Sequence, residues 1–100
     1  MLKGTTPRHT FTLPIDTGLI KSIQIIYAQN DNVKLIKETE QCTLSGNTAV
    51  VKLSQEDTLE FEEETCVQMQ VRVLLHNGDA LASGIMRTRC EGVLYDGVLV

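Results

Sequence analysis

Alternating apolar and polar positions from Val67 to Leu75 give the clearest structural signal in this chain. Every second side chain is apolar, and polar residues such as Arg72 fall between them, with Leu74 as the exception. A period of two over that length is typical of a strand with one face on a core and the other in water. Asn77-Gly78 follows, and this dipeptide tolerates the positive φ angles of a tight turn. The pattern predicts an antiparallel β-hairpin.

Segments rich in β-branched and aromatic residues predict the other strands. They span residues 9–13, 19 or 21 to 29, 33–39, 48–53 and 80–90, with a short segment at 42–44 and a last strand or extended tail at 93–100. Turn signals separate them, for example Asn30-Asp31-Asn32. We place Val33 and Leu35 on the core side of the third segment, and Gly84 predicts a bulge or kink. Because residues 93–100 are unusually apolar, we expect them to pack on their own domain or on a partner.

The hydrophobic period changes between residues 54 and 60. Ser54 is placed to cap a helical turn, and Asp57 stands where an acidic side chain reaches back to the cap. One helical turn near residues 54–60 would carry the chain from one sheet to the other. No ten-residue helical period occurs, which argues against βαβ units. We therefore predict a single domain over residues 1–100, an antiparallel immunoglobulin-like β-sandwich of six to seven strands.

Composition and charge narrow the classes of function. The chain has 100 residues, 42% of them hydrophobic and 4% aromatic, without Trp, so the core is expected to rest on Val, Leu and Ile. The net charge of −4 opposes nucleic-acid binding, which depends mainly on Lys and Arg. Much of the acid lies at Glu60 and Glu62-Glu63-Glu64. That run is either a site for a cation or basic partner or a solvated loop, and such runs favour the loop.

No targeting or redox framework is evident. Residues 1–10 lack the apolar stretch of a signal peptide, and no run approaches the ~18 apolar residues of a membrane span. We therefore expect a soluble protein made in a cytoplasm and not bound to a membrane. Cys42, Cys66 and Cys90 are odd in number and have no CxxC or Cys/His spacing, so free thiols are expected, with neither a disulfide nor a metal.

The sequence contains no recognisable catalytic motif. No serine has GxSxG around it, and only His9 and His76 are available to a catalytic triad. We expect His76 at an exposed hairpin corner and His9 at the rim of a strand, and neither as a catalytic residue. The carboxylates lie side by side, without the apolar pocket that makes one of a pair a general acid. The prediction is a protein that is not an enzyme, has no cofactor and binds no small-molecule substrate.

Three arginines are expected on the same face of two paired strands. Arg72 lies on the polar face of the 67–75 strand, and Arg87 and Arg89 share one face of its hairpin partner. Across an antiparallel pair such side chains come close. They form either a basic strip for an acidic partner or ordinary solvated side chains that pair with the acidic loop, and the second is favoured. The candidate partner-binding residues are Arg72, Arg87, Arg89, Glu62, Glu63 and Glu64.

Several phrases along the chain carry a resemblance to a known family. They are TTPRHTFTLPIDT, SIQIIYAQND, KLIKETEQCTL, VKLSQEDTLEF, VQMQVRVLLHNGDALAS and VLYDGVLV. With them the chain resembles small proteins encoded in prophages of gut Firmicutes. It is more distantly similar to the N-terminal β domain of siphophage baseplate upper proteins. The Glu62-Glu63-Glu64 run replaces a less acidic loop of that family.

The resemblance implies a non-enzymatic structural protein of a phage or prophage, associated with the tail or baseplate. It would act through contacts with other phage structural proteins or with itself, as a homo-oligomer, and it carries over no catalytic or ligand residues. Such a protein is made in the cytoplasm of a bacterial host and is then incorporated into the virion. The alternative is a small cytoplasmic phage accessory protein that binds a host protein.

Overall fold

The computed structural model describes residues 1–100 and consists of eight strands, one short α-helix and two 3-10 turns. The strands are β1 Arg8–Thr12, β2 Ile20–Gln29, β3 Asn32–Lys37, β4 Cys42–Ser45, β5 Thr48–Lys52, β6 Thr65–Leu75, β7 Ala80–Ala82 and β8 Met86–Cys90. The helix α1 is Gln55–Leu59, and the 3-10 turns are Thr17–Leu19 and Thr39–Gln41. The prediction of an antiparallel all-β sandwich is confirmed.

The strands form two sheets, and every strand pair is antiparallel. The smaller sheet has the order β1-β5-β4, and the larger has the order β3-β2-β6, with β7 and β8 both paired to the far side of β6. The strand that carries the clearest alternation, β6, therefore lies inside the larger sheet. Because α1 connects β5 to β6, it carries the chain from the smaller sheet to the larger one.

Strand count differs from the six to seven that the sequence predicts. The predicted segment 80–90 divides into β7 and β8, because the chain leaves the ladder at residues 83–85, around Gly84. The short segment at 42–44 is a strand in its own right, paired with β5. Residues 93–100 form no strand, and the chain bends at Leu94 and Tyr95.

Two hairpin turns reverse the chain with different backbone conformations. Asn30 and Asp31 form the two-residue loop between β2 and β3, and both have positive φ angles of 51° and 63°. That is the geometry of a primed hairpin turn, which Asn and Asp tolerate. In the β6–β7 turn only Gly78 has a positive φ, 94°, and Asn77 instead accepts a hydrogen bond from Asp79 N at 2.9 Å. The predicted hairpin is present, but Asn77 does not adopt positive φ.

A β-bulge in β3 reverses one predicted orientation. Tyr27 pairs with Leu35, whereas the next residue of β2, Ala28, pairs with Val33, so Lys34 has no partner. The extra residue turns the strand by one position. Leu35 keeps the core side that the sequence predicts, but Val33 lies on the outer face and is 58% exposed. The prediction for Val33 was wrong because a single inserted residue exchanges the two faces.

The core lies between the two sheets. Its buried hydrophobic members are Phe11, Leu13, Ile20, Ile23, Ile25, Tyr27, Ala49, Val51, Leu53, Phe61, Val67, Val71 and Cys90. Most are aliphatic, as predicted. However, Tyr27 and Phe61 are the largest fully buried side chains, and their ring centroids are 6.0 Å apart. Three of the four aromatic residues, Phe11, Tyr27 and Phe61, therefore lie in the core, which composition alone did not indicate.

Helix α1 begins at the predicted cap. Ser54 Oγ accepts a hydrogen bond from Asp57 N at 3.0 Å, and Asp57 Oδ2 accepts one from Ser54 N at 2.9 Å. This reciprocal capping box satisfies two main-chain donors of the first turn. Lys37 Nζ of β3 lies 2.8 Å from the same Asp57 oxygen, and the two side chains are only 11% and 17% exposed. A largely buried ion pair thus fastens the crossover to the larger sheet.

Candidate interaction surfaces

The three candidate arginines lie on one face of the larger sheet. Arg87 pairs with Gln68 and Arg89 with Cys66, so both belong to the same face as the even-numbered residues of β6, which include Arg72. The odd-numbered residues of β6 face the core, so this arginine face is the side turned away from the smaller sheet. Arg72 lies four positions along β6 from the partner of Arg87, about 13 Å at the rise of a strand. The three form a spaced row and not a cluster.

The acidic loop already occupies one end of this row. Arg89 forms a salt bridge with Glu64, a residue with a positive φ of 57°, and both side chains are about two-thirds exposed, at 64% and 63%. The hydrogen bond and charge of Arg89 hold the pKa of Glu64 below its ordinary value. Surface pairs of this kind stabilise little. Arg72 and Arg87 form no salt bridge, so the pairing that the sequence favoured holds for Arg89 alone.

Of the remaining acidic candidates, Glu62 is held by its backbone and Glu63 by its side chain. Gln29, at the end of β2 and 1% exposed, donates from Nε2 to Glu62 O at 2.8 Å and accepts from Glu62 N at 2.7 Å. The Glu63 side chain packs against Gly92. Sequence reasoning missed Gln29, although its position continues the core-facing odd phase of β2 through Ile25. The acidic loop is thus held to the domain by the Glu62 backbone, the Glu63 side chain and the pair of Glu64 with Arg89.

The arginine face also carries an apolar half. A shallow depression lies between β3, β2 and β6, and its apolar lining includes Ile26, Ala28, Val33 and Ile85. Val33 and Ile85 are 58% and 49% exposed. The face therefore combines exposed apolar side chains with a row of arginines, a mixture that suits contact with another protein surface.

Residues 91–100, the closing segment, expose more apolar surface than any other part of the chain. Leu94 and Val100 are fully exposed and Leu99 is 82% exposed. Glu91, at the start of this segment, bonds through its backbone to Met1 and Lys3. Beyond it, two polar contacts hold the segment to the domain, a salt bridge of 2.9 Å between Lys3 and Asp96 and a paired hydrogen bond between the Gln55 amide and the Leu99 backbone. The apolar side chains are therefore displayed, and not buried, by the way the segment is attached.

An apolar cavity opens between the sheets, beside the end of β1. It has a volume of about 90 Å³ and is lined mainly by Leu13, Pro14, Ile15, Val71, Val73 and Leu81. The smaller sheet has three strands over the five of the larger one, which leaves this part of the inner face of β6 and β7 uncovered.

His9 is not at the rim that the sequence predicts. Its Nδ1 lies 2.7 Å from the hydroxyl of Tyr27, which is fully buried, so the pair joins β1 of one sheet to β2 of the other. Burial raises the pKa of Tyr27, and burial lowers the pKa of His9 below its ordinary value. The neutral imidazole therefore gives a buried hydroxyl the partner that such groups require. His76 is exposed at the hairpin corner, as predicted.

The other titratable candidates are dispersed. All three cysteines are free thiols, with Cys90 buried, Cys42 half-buried and Cys66 exposed. Burial raises the pKa of Cys90 and of Cys42. No three His, Cys, Asp or Glu side chains come close enough together to hold a metal ion.

The structure contains no helix with the length and apolar character needed to span a membrane. Comparisons with protein-family models, with curated proteins and with solved structures found no match.

Proposed function

We propose that this chain is a non-enzymatic structural protein of a phage or prophage particle, associated with the tail or baseplate, that acts through protein–protein contacts. The observation that carries the proposal is the closing segment, whose exposed apolar side chains accompany the phage resemblance of the sequence. Exposed apolar surface of this extent marks a site of contact with another protein. The chain would be made in the cytoplasm of its bacterial host and then assembled into the particle.

The sandwich itself supports a role in assembly. The strands at the edges of both sheets offer main-chain hydrogen-bonding groups that a neighbouring chain can pair with. A rigid β domain with open edges and a displayed apolar segment provides several independent contacts, as repeated subunits of a particle require.

Purified particles test the proposal. Induced particles from a host that carries this gene would be banded on a density gradient and quantified by mass spectrometry. We expect this chain at a fixed copy number per particle, with the major capsid protein as the positive control and an abundant host enzyme as the negative control. Absence of the chain from the particles, when the induced lysate contains it, would refute a virion role.

The arginine face favours a second candidate, a cytoplasmic accessory protein that binds a host protein. Arg72 and Arg87 are exposed and form no salt bridge, next to an apolar depression. A pull-down from host lysate would compare the wild type with Arg72→Glu/Arg87→Glu. A single stoichiometric host partner that is lost with the double variant would favour this function, and its absence would remove it.

A further inference from the structure

The open edge of β1 carries unused main-chain hydrogen-bonding groups. Leu13 N donates to Asn47 O at 2.7 Å, and Pro7 O accepts from Leu53 N at 2.9 Å, so the odd-numbered residues of this stretch bond to the β5 side. In an antiparallel ladder the alternate residues direct their N–H and C=O groups the other way. Those residues are Arg8, Thr10 and Thr12, and β1 has no second neighbour to receive them.

This edge continues directly into the apolar cavity. Leu13 and Ile15 follow β1 and line the cavity together with Val71 and Val73 of β6. A strand added beside β1 would therefore place its side chains over an uncovered part of the inner face of the larger sheet. Main-chain pairing along an open edge, with pockets for alternate side chains, is the way in which an extended peptide adds to a sheet.

The closing segment has the chemistry of such a strand. Beyond the Glu91 bridge it forms no ladder with its own domain, and it presents Leu94, Leu99 and Val100 to solvent. Its contacts through Gln55 and Lys3 are exposed hydrogen bonds, which are easily exchanged for others.

The closing segment of the same chain is anchored at the end of β1 that lies away from the cavity. The Gln55 anchor follows Leu53, which bonds to Pro7 at the start of β1, whereas the cavity begins at Leu13. Six residues of strand separate the two ends, about 20 Å at 3.3 Å per residue. Filling the cavity from within the chain would require the segment to leave both anchors and cross the domain, so a neighbouring molecule is the simpler donor.

We propose that the closing segment of a second copy of this chain pairs along the open edge of β1 and inserts its leucines into the cavity. This inference deepens the proposed function, on which it rests, by naming the partner and the surface. The donor and acceptor surfaces differ, so the contact is heterologous. If two copies each donate a closing segment to the other, they form a closed dimer. If each copy donates its segment to the next copy, they form a ring or a filament.

Two defective variants separate donor from acceptor. Thr10→Pro removes a main-chain donor at the centre of the open edge while the β5 ladder stays intact, and Thr10→Val is its matched control. Leu94→Asp/Leu99→Asp charges the donor at exposed positions. Its control, Leu19→Asp/Val33→Asp, adds the same charge at side chains that are 54% and 58% exposed elsewhere.

Sedimentation velocity over a wide range of concentrations would measure self-association, with circular dichroism to verify folding. We expect the wild type and both controls to associate, and each defective variant to lose affinity by roughly tenfold or more. A mixture of the two defective variants would form a one-to-one complex, because one copy keeps a donor and the other an acceptor. If Thr10→Pro does not fold, Leu81→Asp charges the cavity from a side chain that is 44% exposed.

Three results would overturn the inference. The wild type could stay monomeric, the mixture of the two defective variants could stay monomeric, or the Leu19→Asp/Val33→Asp control could dissociate as readily as the donor variant. The result is independent of the particle experiment. Self-association through the segment in a protein absent from particles would refute the virion role alone. Presence in particles, with association unchanged in the donor variant, would refute this inference alone.

Discussion

The ion pair between Lys37 and Asp57 is expected to contribute stability that depends on pH. We would replace Lys37 by Met, which removes the ammonium group and keeps the apolar stem. The charges are 2.8 Å apart. Their attraction is about 6 kcal/mol at an effective dielectric constant of about 20, before desolvation is subtracted. Removing one partner costs about 3–5 kcal/mol in buried pairs and about 0.2–1 kcal/mol in exposed pairs. With side chains 11% and 17% exposed, we expect a loss of about 1.5–3 kcal/mol near neutral pH.

The pH dependence distinguishes charge from packing. Partial burial of Asp57 raises the pKa of its carboxyl, but the hydrogen bonds from Lys37 and Ser54 outweigh burial and hold this pKa below its ordinary value. A depressed carboxyl pKa stabilises the fold above the unfolded value, about 3.9 for Asp, and this stability disappears as pH falls through the folded pKa. The wild type should therefore lose its advantage over Lys37→Met progressively below about pH 4.

Urea unfolding at a series of pH values from 7 downward would measure this difference. Lys34→Met is the matched control, because Lys34 is exposed on the same strand, and its effect should be below about 0.5 kcal/mol. A loss for Lys37→Met that is equal at neutral and acidic pH would show that packing and not charge is responsible. A loss no larger than that of the control would show that the pair contributes nothing.

Four further substitutions have defined outcomes. Tyr27→Phe should lower the free energy of unfolding by about 1–2 kcal/mol in urea, because the hydroxyl that His9 contacts at 2.7 Å is lost. Because the pKa of His9 is lowered, the melting temperature of the wild type should fall as pH drops through about 6.5, and His9→Gln should flatten that profile. Gln29→Leu should cost about 2 kcal/mol and speed amide hydrogen exchange in the acidic loop, since both of its buried hydrogen bonds disappear. Gly78→Ala should cost about 1 kcal/mol at a φ of 94°, whereas Gly84→Ala, without a positive φ, should melt as the wild type does.

Local patterns explain the parts of the fold that the sequence predicted. The alternation along β6 is confirmed because its inner residues, such as Val67 and Val71, all meet one core. Ser54 caps α1 because capping depends on residues only three positions apart. The face of Val33 was missed because a bulge depends on the partner strand and leaves no periodic signal. The strand count was missed because the predicted kink at Gly84 divides one predicted strand into two.

Candidate interaction residues were predictable only as far as strand register follows from alternation. Arg72, Arg87 and Arg89 do share a face, because residues two apart on paired strands point the same way. The pairing of Arg89 with Glu64 and the role of Gln29 depend on how the loop after α1 folds back onto the larger sheet. Such contacts join positions more than twenty residues apart, and no spacing in the sequence encodes them.

Pairing of Thr12 with Thr48, which closes the first strand into the smaller sheet, has a consequence for the order of folding during synthesis. The two residues are 36 positions apart (48 − 12), and β1 has no other partner. At about 5–20 residues per second, about 2–7 seconds pass between the synthesis of Thr12 and that of Thr48, and β2, β3 and β4 are made during this time. During that interval the nascent chain carries an unpaired strand with exposed Phe11 and Leu13. These apolar side chains therefore remain open to chaperones, or to contacts with other chains, until β5 has been made.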